Sequence, residues 1–262
     1  MPRFLGRMKV MMGLLIAFLF QLTPRAGHAN PAPPLVVFVN GYEDCCAWGM
    51  GDVIEAMRSH GAVLMGVPWD SFIQDAKQRG RTSNDGPFLQ QGADFINNRL
   101  NPNSPLILIG HSYGGDSVLK LLPRIRRSIL FVGVIDPVAM AGRRYPVTSH
   151  LVPASVHYFF NRWQENRLAT ANIVPFDSAL SGLIGDCRAR YCDQDSQNIA
   201  RHADGSPLRD TCGWDEVTCP GYSLFPPRRG HKQRRILHNS MPYDEHIQRQ
   251  IIEKVFALLG WR

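Results

Sequence analysis

The stretch Leu106-Ile107-Leu108-Ile109-Gly110-His111-Ser112-Tyr113-Gly114-Gly115 constrains this chain more than any other. Four large aliphatics in a row read as a strand buried on both faces, and Val118, Leu119, Leu121 and Leu122 follow at helical spacing. Between strand and helix stands G-x-S-x-G. A strand that turns straight into a helix forces unusual backbone angles on the corner residue, so the residues two before and two after it must be tiny. Gly110 and Gly114 meet that requirement. Such a corner lifts the Ser112 hydroxyl clear of the sheet, where it can act as a nucleophile. A Gly-rich turn with an ordinary capping serine would use the same residues. The partners of a nucleophile must therefore be found elsewhere in the chain.

Met1 to Ala29 carries Arg3, Arg7 and Lys9, then an apolar run from Val10 to Leu22, then Gly27-His28-Ala29. This predicts a secretory signal peptide cut after Ala29, with Met8 as an alternative start, because the run is too short to span a bilayer comfortably. The protein is then expected to be secreted or periplasmic, with residues 30–262 as one domain. Of the formal charge of +7, four units belong to Arg3, Arg7, Lys9 and Arg25, with no acid before Asn30, which leaves +3 for the exported part. Nucleic acid is not implied as a partner. One basic cluster remains, Arg228, Arg229, His231, Lys232, Arg234 and Arg235. It reads as a solvated loop, with transient contact to anionic lipid or polysaccharide as the sharper alternative.

All six cysteines, Cys45, Cys46, Cys187, Cys192, Cys212 and Cys219, fall in the exported part, where an oxidising compartment favours disulfides. Their spacings lack the tight C-x-x-C pairs of structural zinc sites, so no metal is expected. Adjacent Cys45 and Cys46 are expected to bond to different, distant partners, and the connectivity stays open.

Further continuous apolar runs at 35–40, 62–67, 105–109, 129–135 and 156–160, with a short final one near 235–237, alternate with helical patterns at 51–59, 88–100, 116–125 and 241–259. Strands alternating with helices predict an α/β fold with a mostly parallel, doubly wound sheet. The segment 166–230 breaks the rhythm. Rich in Gly, Pro, Asp and Arg, it holds four cysteines and reads as a disulfide-stapled insertion or lid above the nucleophile, one whose reduction would alter activity.

A serine needs a base, and the base an orienting acid. In such sheets catalytic groups sit just past the carboxyl ends of strands. Asp136 directly follows the run Ile129 to Ile135, and Pro137 stops the strand; Glu165, after the next run, is the second candidate acid. His238 lies between the last short run and the terminal helix, on a loop able to swing toward Ser112. His246 falls inside that helix, beside Gln250 and Glu253 on its polar side and opposite Ile247, Ile251, Val255 and Leu258, and is expected to be solvated. His111 is expected to point away from the serine's partners, because strand neighbours face opposite sides. Backbone donors for a developing oxyanion are expected from Tyr113, directly after the nucleophile, and from Tyr42 in Asn40-Gly41-Tyr42, where Gly41 lets the chain approach.

Together, Gly110-His111-Ser112-Tyr113-Gly114-Gly115, Val39-Asn40-Gly41-Tyr42, Ile135-Asp136-Pro137-Val138 and His238 resemble the α/β-hydrolase superfamily of lipases, esterases and thioesterases. The order Ser, Asp, His matches. The Asp-Pro placement is similar to that of pancreatic-type lipases, and His238-Asn239-Ser240-Met241-Pro242 is similar to the histidine loop of small bacterial members. The resemblance covers roughly residues 35–261; segment 166–230 has no counterpart, and Asn40 replaces the histidine of the family's His-Gly turn. It implies a serine hydrolase of small-molecule esters or lipids without a cofactor. A thioesterase or amidase would use the same triad, and a binding protein could keep the fold without the activity.

Overall fold

A computed structural model describes residues 32–41, 49–67, 86–138, 150–165, 182–208, 236 and 238–262. The expected signal peptide, Tyr42, Cys45, Cys46, Cys212, Cys219 and the basic cluster at 228–235 lie outside the described residues.

The five longer apolar runs each form a strand: β1 (Leu35–Val39), β2 (Val63–Val67), β3 (Leu106–His111), β4 (Ile129–Ile135) and β6 (Val156–Trp163). Two-residue strands β5 (Leu151–Val152) and β7 (Asp186–Cys187) pair separately, and β8 (Tyr191–Ser196) joins the main sheet. The helices are α1 (Gly51–Ser59), α2 (Gly86–Asp94), α3 (Tyr113–Leu121) and α4 (Glu245–Leu259). A π-helical turn, Phe95–Arg99, extends α2, and a 3-10 turn, Leu122–Arg124, ends α3. The fold is α/β. Its main sheet runs β2-β1-β3-β4-β6-β8, with every pairing parallel.

Helices cover both faces, as the two-sided apolar runs require. On one face Val37, Val39, Leu108 and Val132 pack with Leu89 and Ile96 near α2 and with Val118 and Leu122 around α3. On the other, Val36, Phe38, Ile107, Ile109 and Phe131 pack with Met57 of α1 and Ile247, Ile251 and Val255 of α4. A fully buried side chain of this size contributes roughly 1.5–3 kcal/mol. The paired layers therefore make the carboxyl edge of the sheet a rigid platform.

Part of the expected insertion is sheet. Residues 191–196 of the segment 166–230 run beside β6 from Tyr158↔Tyr191 to Trp163↔Ser196. No apolar run announces β8, because polar pairs do the work there: Tyr158 Oη donates to Asp193 at 2.6 Å, Asn161 Nδ2 to Gln194 Oε1 at 3.0 Å, and Arg162 bridges Asp193 at 2.8 Å. A disulfide joins Cys187 to Cys192, with their Cα atoms 6.3 Å apart, and closes the turn that enters β8. Of the short final run near 235–237, Ile236 is described. It is buried, and its amide donates to the Asn198 carbonyl at 3.2 Å.

The helical pattern at 241–259 is broken in two. A 3-10 segment spans His238–Tyr243 and contains Pro242, which lacks the amide an α-helix would use there. α4 then begins after Asp244, whose carboxylate accepts from the Ile247 amide, and ends at Gly260 in the left-handed conformation.

Candidate active site

The strand order fixes where a site can form. β1 has β2 on one side and β3 on the other, so the chain reverses its progress across the sheet between β1 and β3. In open α/β sheets the crevice outside the carboxyl ends at such a reversal is where ligands bind. Gly41 leaves β1 there and Ser112 leaves β3.

Ser112 is the N-cap of α3 and holds φ 57° and ψ −128°, a corner that costs an ordinary residue about 1–3 kcal/mol. Three hydrogen bonds keep it there. Its amide donates to the Ile135 carbonyl at 3.1 Å, and its own carbonyl accepts from Asp116 at 3.2 Å and Val138 at 3.1 Å. The glycines make room: a Cβ on Gly110 would stand 2.6 Å from the Gly114 carbonyl oxygen, and one on Gly114 would fall on the carbonyl oxygens of Val39 and Asn40. Gly41 is equally close, since its Cβ would be 2.7 Å from the Ser112 Cβ and 3.2 Å from Oγ.

Asp136 takes the next strand end, with φ 41° and its amide donating to the Arg162 carbonyl at 2.7 Å. His238 opens the 3-10 segment, held between two apolar anchors, Ile236 and Met241, that are both buried in the core. The three side chains form one hydrogen-bonded chain. His238 Nδ1 lies 2.7 Å from Asp136 Oδ2, and His238 Nε2 lies 2.8 Å from Ser112 Oγ. An ionised carboxylate only accepts, so Nδ1 carries the proton and the Nε2 lone pair is left to accept from the serine hydroxyl. All three residues are buried.

No family model and no curated protein sequence matches the chain. Among solved structures it is similar to a novel cutinase-like protein from Cryptococcus sp., at 16% identity and a TM-score of 0.39, over 88% of this chain and 96% of that one.

The other sequence candidates go elsewhere. Glu165 accepts from its neighbour Trp163 Nε1 at 3.0 Å and, through its amide, donates to Asn198 Oδ1 at 2.9 Å. His246 is half-buried, whereas helical periodicity predicts a solvated ring. Its Nε2 accepts from Gln250 at 2.8 Å, and Gly205 covers its other edge, because the loop at 201–208 packs over the start of α4. His150 pairs with the buried Asp116 at 2.6 Å, and His60 stacks on Trp261. Tyr113 is buried at the first position of α3, where helix amides point out along the axis toward the serine corner.

Two further residues enter the site, Gln164 and His111. Gln164, one residue before the candidate Glu165, is buried and donates to the Asp136 carboxylate from its amide at 3.3 Å and its side chain at 3.4 Å. The signal was present, since it sits at the same strand end as Glu165 and alternation sends neighbours to opposite sides. His111, expected to point away from the serine's partners, instead turns to one of them: its Nε2 donates to the His238 carbonyl at 3.0 Å. Nothing in the local pattern reveals that contact, because 127 positions separate the two residues.

Proposed function

We propose that this protein is an exported serine hydrolase of the α/β-hydrolase type, cleaving carboxylic esters, lipids among them, through an acyl-enzyme on Ser112. The single observation that supports it best is the unbroken chain from Ser112 Oγ through the His238 ring to Asp136 at 2.8 and 2.7 Å. Ser112 Oγ attacks the ester carbonyl carbon while His238 Nε2 takes its proton. The tetrahedral intermediate collapses as His238 returns that proton to the departing alcohol. Water then attacks the acyl-enzyme with His238 as base, releasing the acid and restoring the serine. Asp136 stays ionised throughout, fixing the tautomer and stabilising the imidazolium. The oxyanion is held by the amides of Tyr113 and Tyr42, and no cofactor takes part.

Labelling with a fluorophosphonate probe, followed by peptide mapping, tests the reading directly. Ser112 should carry the label, and Ser112→Ala should lose both labelling and hydrolysis of p-nitrophenyl esters, to below about a thousandth of wild type. An unlabelled serine, or a Ser112→Ala variant that keeps its turnover, overturns the proposal. A panel of esters of increasing acyl length, with thioester and amide analogues, then defines the substrate class.

A further inference from the structure

We infer that His111 is a positioning residue for acyl transfer: it ties the backbone of the base His238 to the nucleophile's own peptide. The inference rests on the hydrolase reading above. A backbone carbonyl only accepts, so the 3.0 Å contact between His111 Nε2 and the His238 oxygen requires the proton on His111 Nε2. The ring is fully buried, and its centroid lies 4.7 Å from that of His238, tilted by 32°. His238 is thus gripped at both ends, by Asp136 on Nδ1 and by His111 on its carbonyl.

The connectivity gives this grip a purpose. His111 and Ser112 are adjacent in the chain, so the bond from His111 to the His238 carbonyl and the bond from His238 Nε2 to Ser112 Oγ close one short ring. The last residue of β3 holds the base while the next residue presents the nucleophile. The Ser112–His238 distance is therefore referenced to a single dipeptide instead of to a chain separation of 126 positions. The 3-10 segment that carries His238 lacks an α-helical backbone ladder of its own. The His111 donor adds a restraint on that first carbonyl from outside the segment.

The test compares two aromatic-sized and amide replacements in the full exported chain. His111→Phe keeps a ring and loses the donor; His111→Gln keeps an amide donor at the reach of Nε2. On a short p-nitrophenyl ester, His111→Phe should lower kcat about 10- to 100-fold with KM within about twofold, the loss expected from a misplaced base. His111→Gln should recover most of it. Proton NMR gives a reading independent of turnover, through the strongly downfield resonance of the His238 Nδ1 proton shared with Asp136. That resonance should shift or broaden in His111→Phe and persist in His111→Gln. Should His111→Phe fail to fold by circular dichroism, His111→Asn against His111→Gln supplies the same contrast, because the shorter amide cannot reach the carbonyl. Full kcat and an unchanged resonance in a folded donor-less variant overturn the inference while leaving the hydrolase reading intact. Absence of fluorophosphonate labelling on wild-type Ser112 overturns the hydrolase reading, and the role in acyl transfer with it.

Discussion

Ser112 and Asp136 are the two non-glycine residues with positive φ among the described residues, at 57° and 41°. Strain of this kind persists only where the surroundings over-determine it. At Ser112 the determinants are carbonyl and amide partners from β4 and the turn after it; at Asp136 they are β6 and Gln164. Asp136→Asn keeps the shape but removes the charge that orients the His238 ring, so initial rates of ester hydrolysis should fall by roughly three to four orders of magnitude. Glu165→Gln, altering a side chain bonded to Trp163, should leave those rates within about twofold of wild type. A severe loss at Glu165 with a mild one at Asp136 would reassign the acid. The glycines separate close approach from mere sequence. Gly114→Ala forces β1 and α3 apart and should cost about 3 kcal/mol in denaturant unfolding. Gly51→Ala, which meets open space, should be neutral or stabilise by up to about 1 kcal/mol.

The elements were largely written in local pattern. β1, β3 and β4 match continuous apolar runs because a strand covered on both faces needs no alternation. α4 was legible from Ile247, Ile251 and Val255, all buried, but its start was set by Pro242 and by the cap at Asp244. That cap does more than close a helix. Its second oxygen accepts from the Arg201 amide at 2.7 Å, which docks the 201–208 loop. Burial raises the Asp244 pKa, with the amide hydrogen bonds only partly offsetting the desolvation. The folded state therefore binds the proton more readily than the unfolded chain, and stability attributable to this group falls as pH rises through the carboxylate range, about 4 and upward. Asp244→Asn keeps the cap without that charge. Thermal melts from about pH 3.5 to 7 should show wild type losing ground to Asp244→Asn as pH increases. The opposite trend would mean that the amide hydrogen bonds outweigh burial.

For the whole molecule, the sheet order decides what meets what. Placing β3 beside β1 and β4 beside β3 brings Gly41, Ser112 and Asp136 to one edge, while β8 closes the far side next to β6. The disulfide Cys187–Cys192 belongs to that far side. Cys192 pairs with Phe159 in the ladder, three positions before Arg162, the residue whose carbonyl holds Asp136. At about 3.3 Å per residue this puts the bond roughly 10 Å back from the carboxyl edge. Replacing both cysteines by serine should thus cost at most about 2 kcal/mol, the loop-closure contribution of a ring this short, and leave ester hydrolysis unchanged. Chemical denaturation and initial rates measure the two separately. Lost activity without unfolding would give this turn a part in the site.

The sequence by itself determined the α/β class and the main strands, and it singled out Ser112, Asp136 and His238, which the fold joins by hydrogen bonds; each of these readings depends on local sterics or on periodicity within some ten residues. A glycine-flanked corner, a two-sided apolar run and a Pro-terminated strand are properties of short segments. Tertiary structure alone decided the rest. Polar β8 is a strand because β6 offers it a ladder and hydrogen-bonding side chains. His246 is half-covered because a distant loop packs on α4, Gln164 faces Asp136 instead of solvent, and His111 reaches the His238 carbonyl across the sheet edge. Each of these is a contact between residues far apart in the chain, and no local pattern carries it.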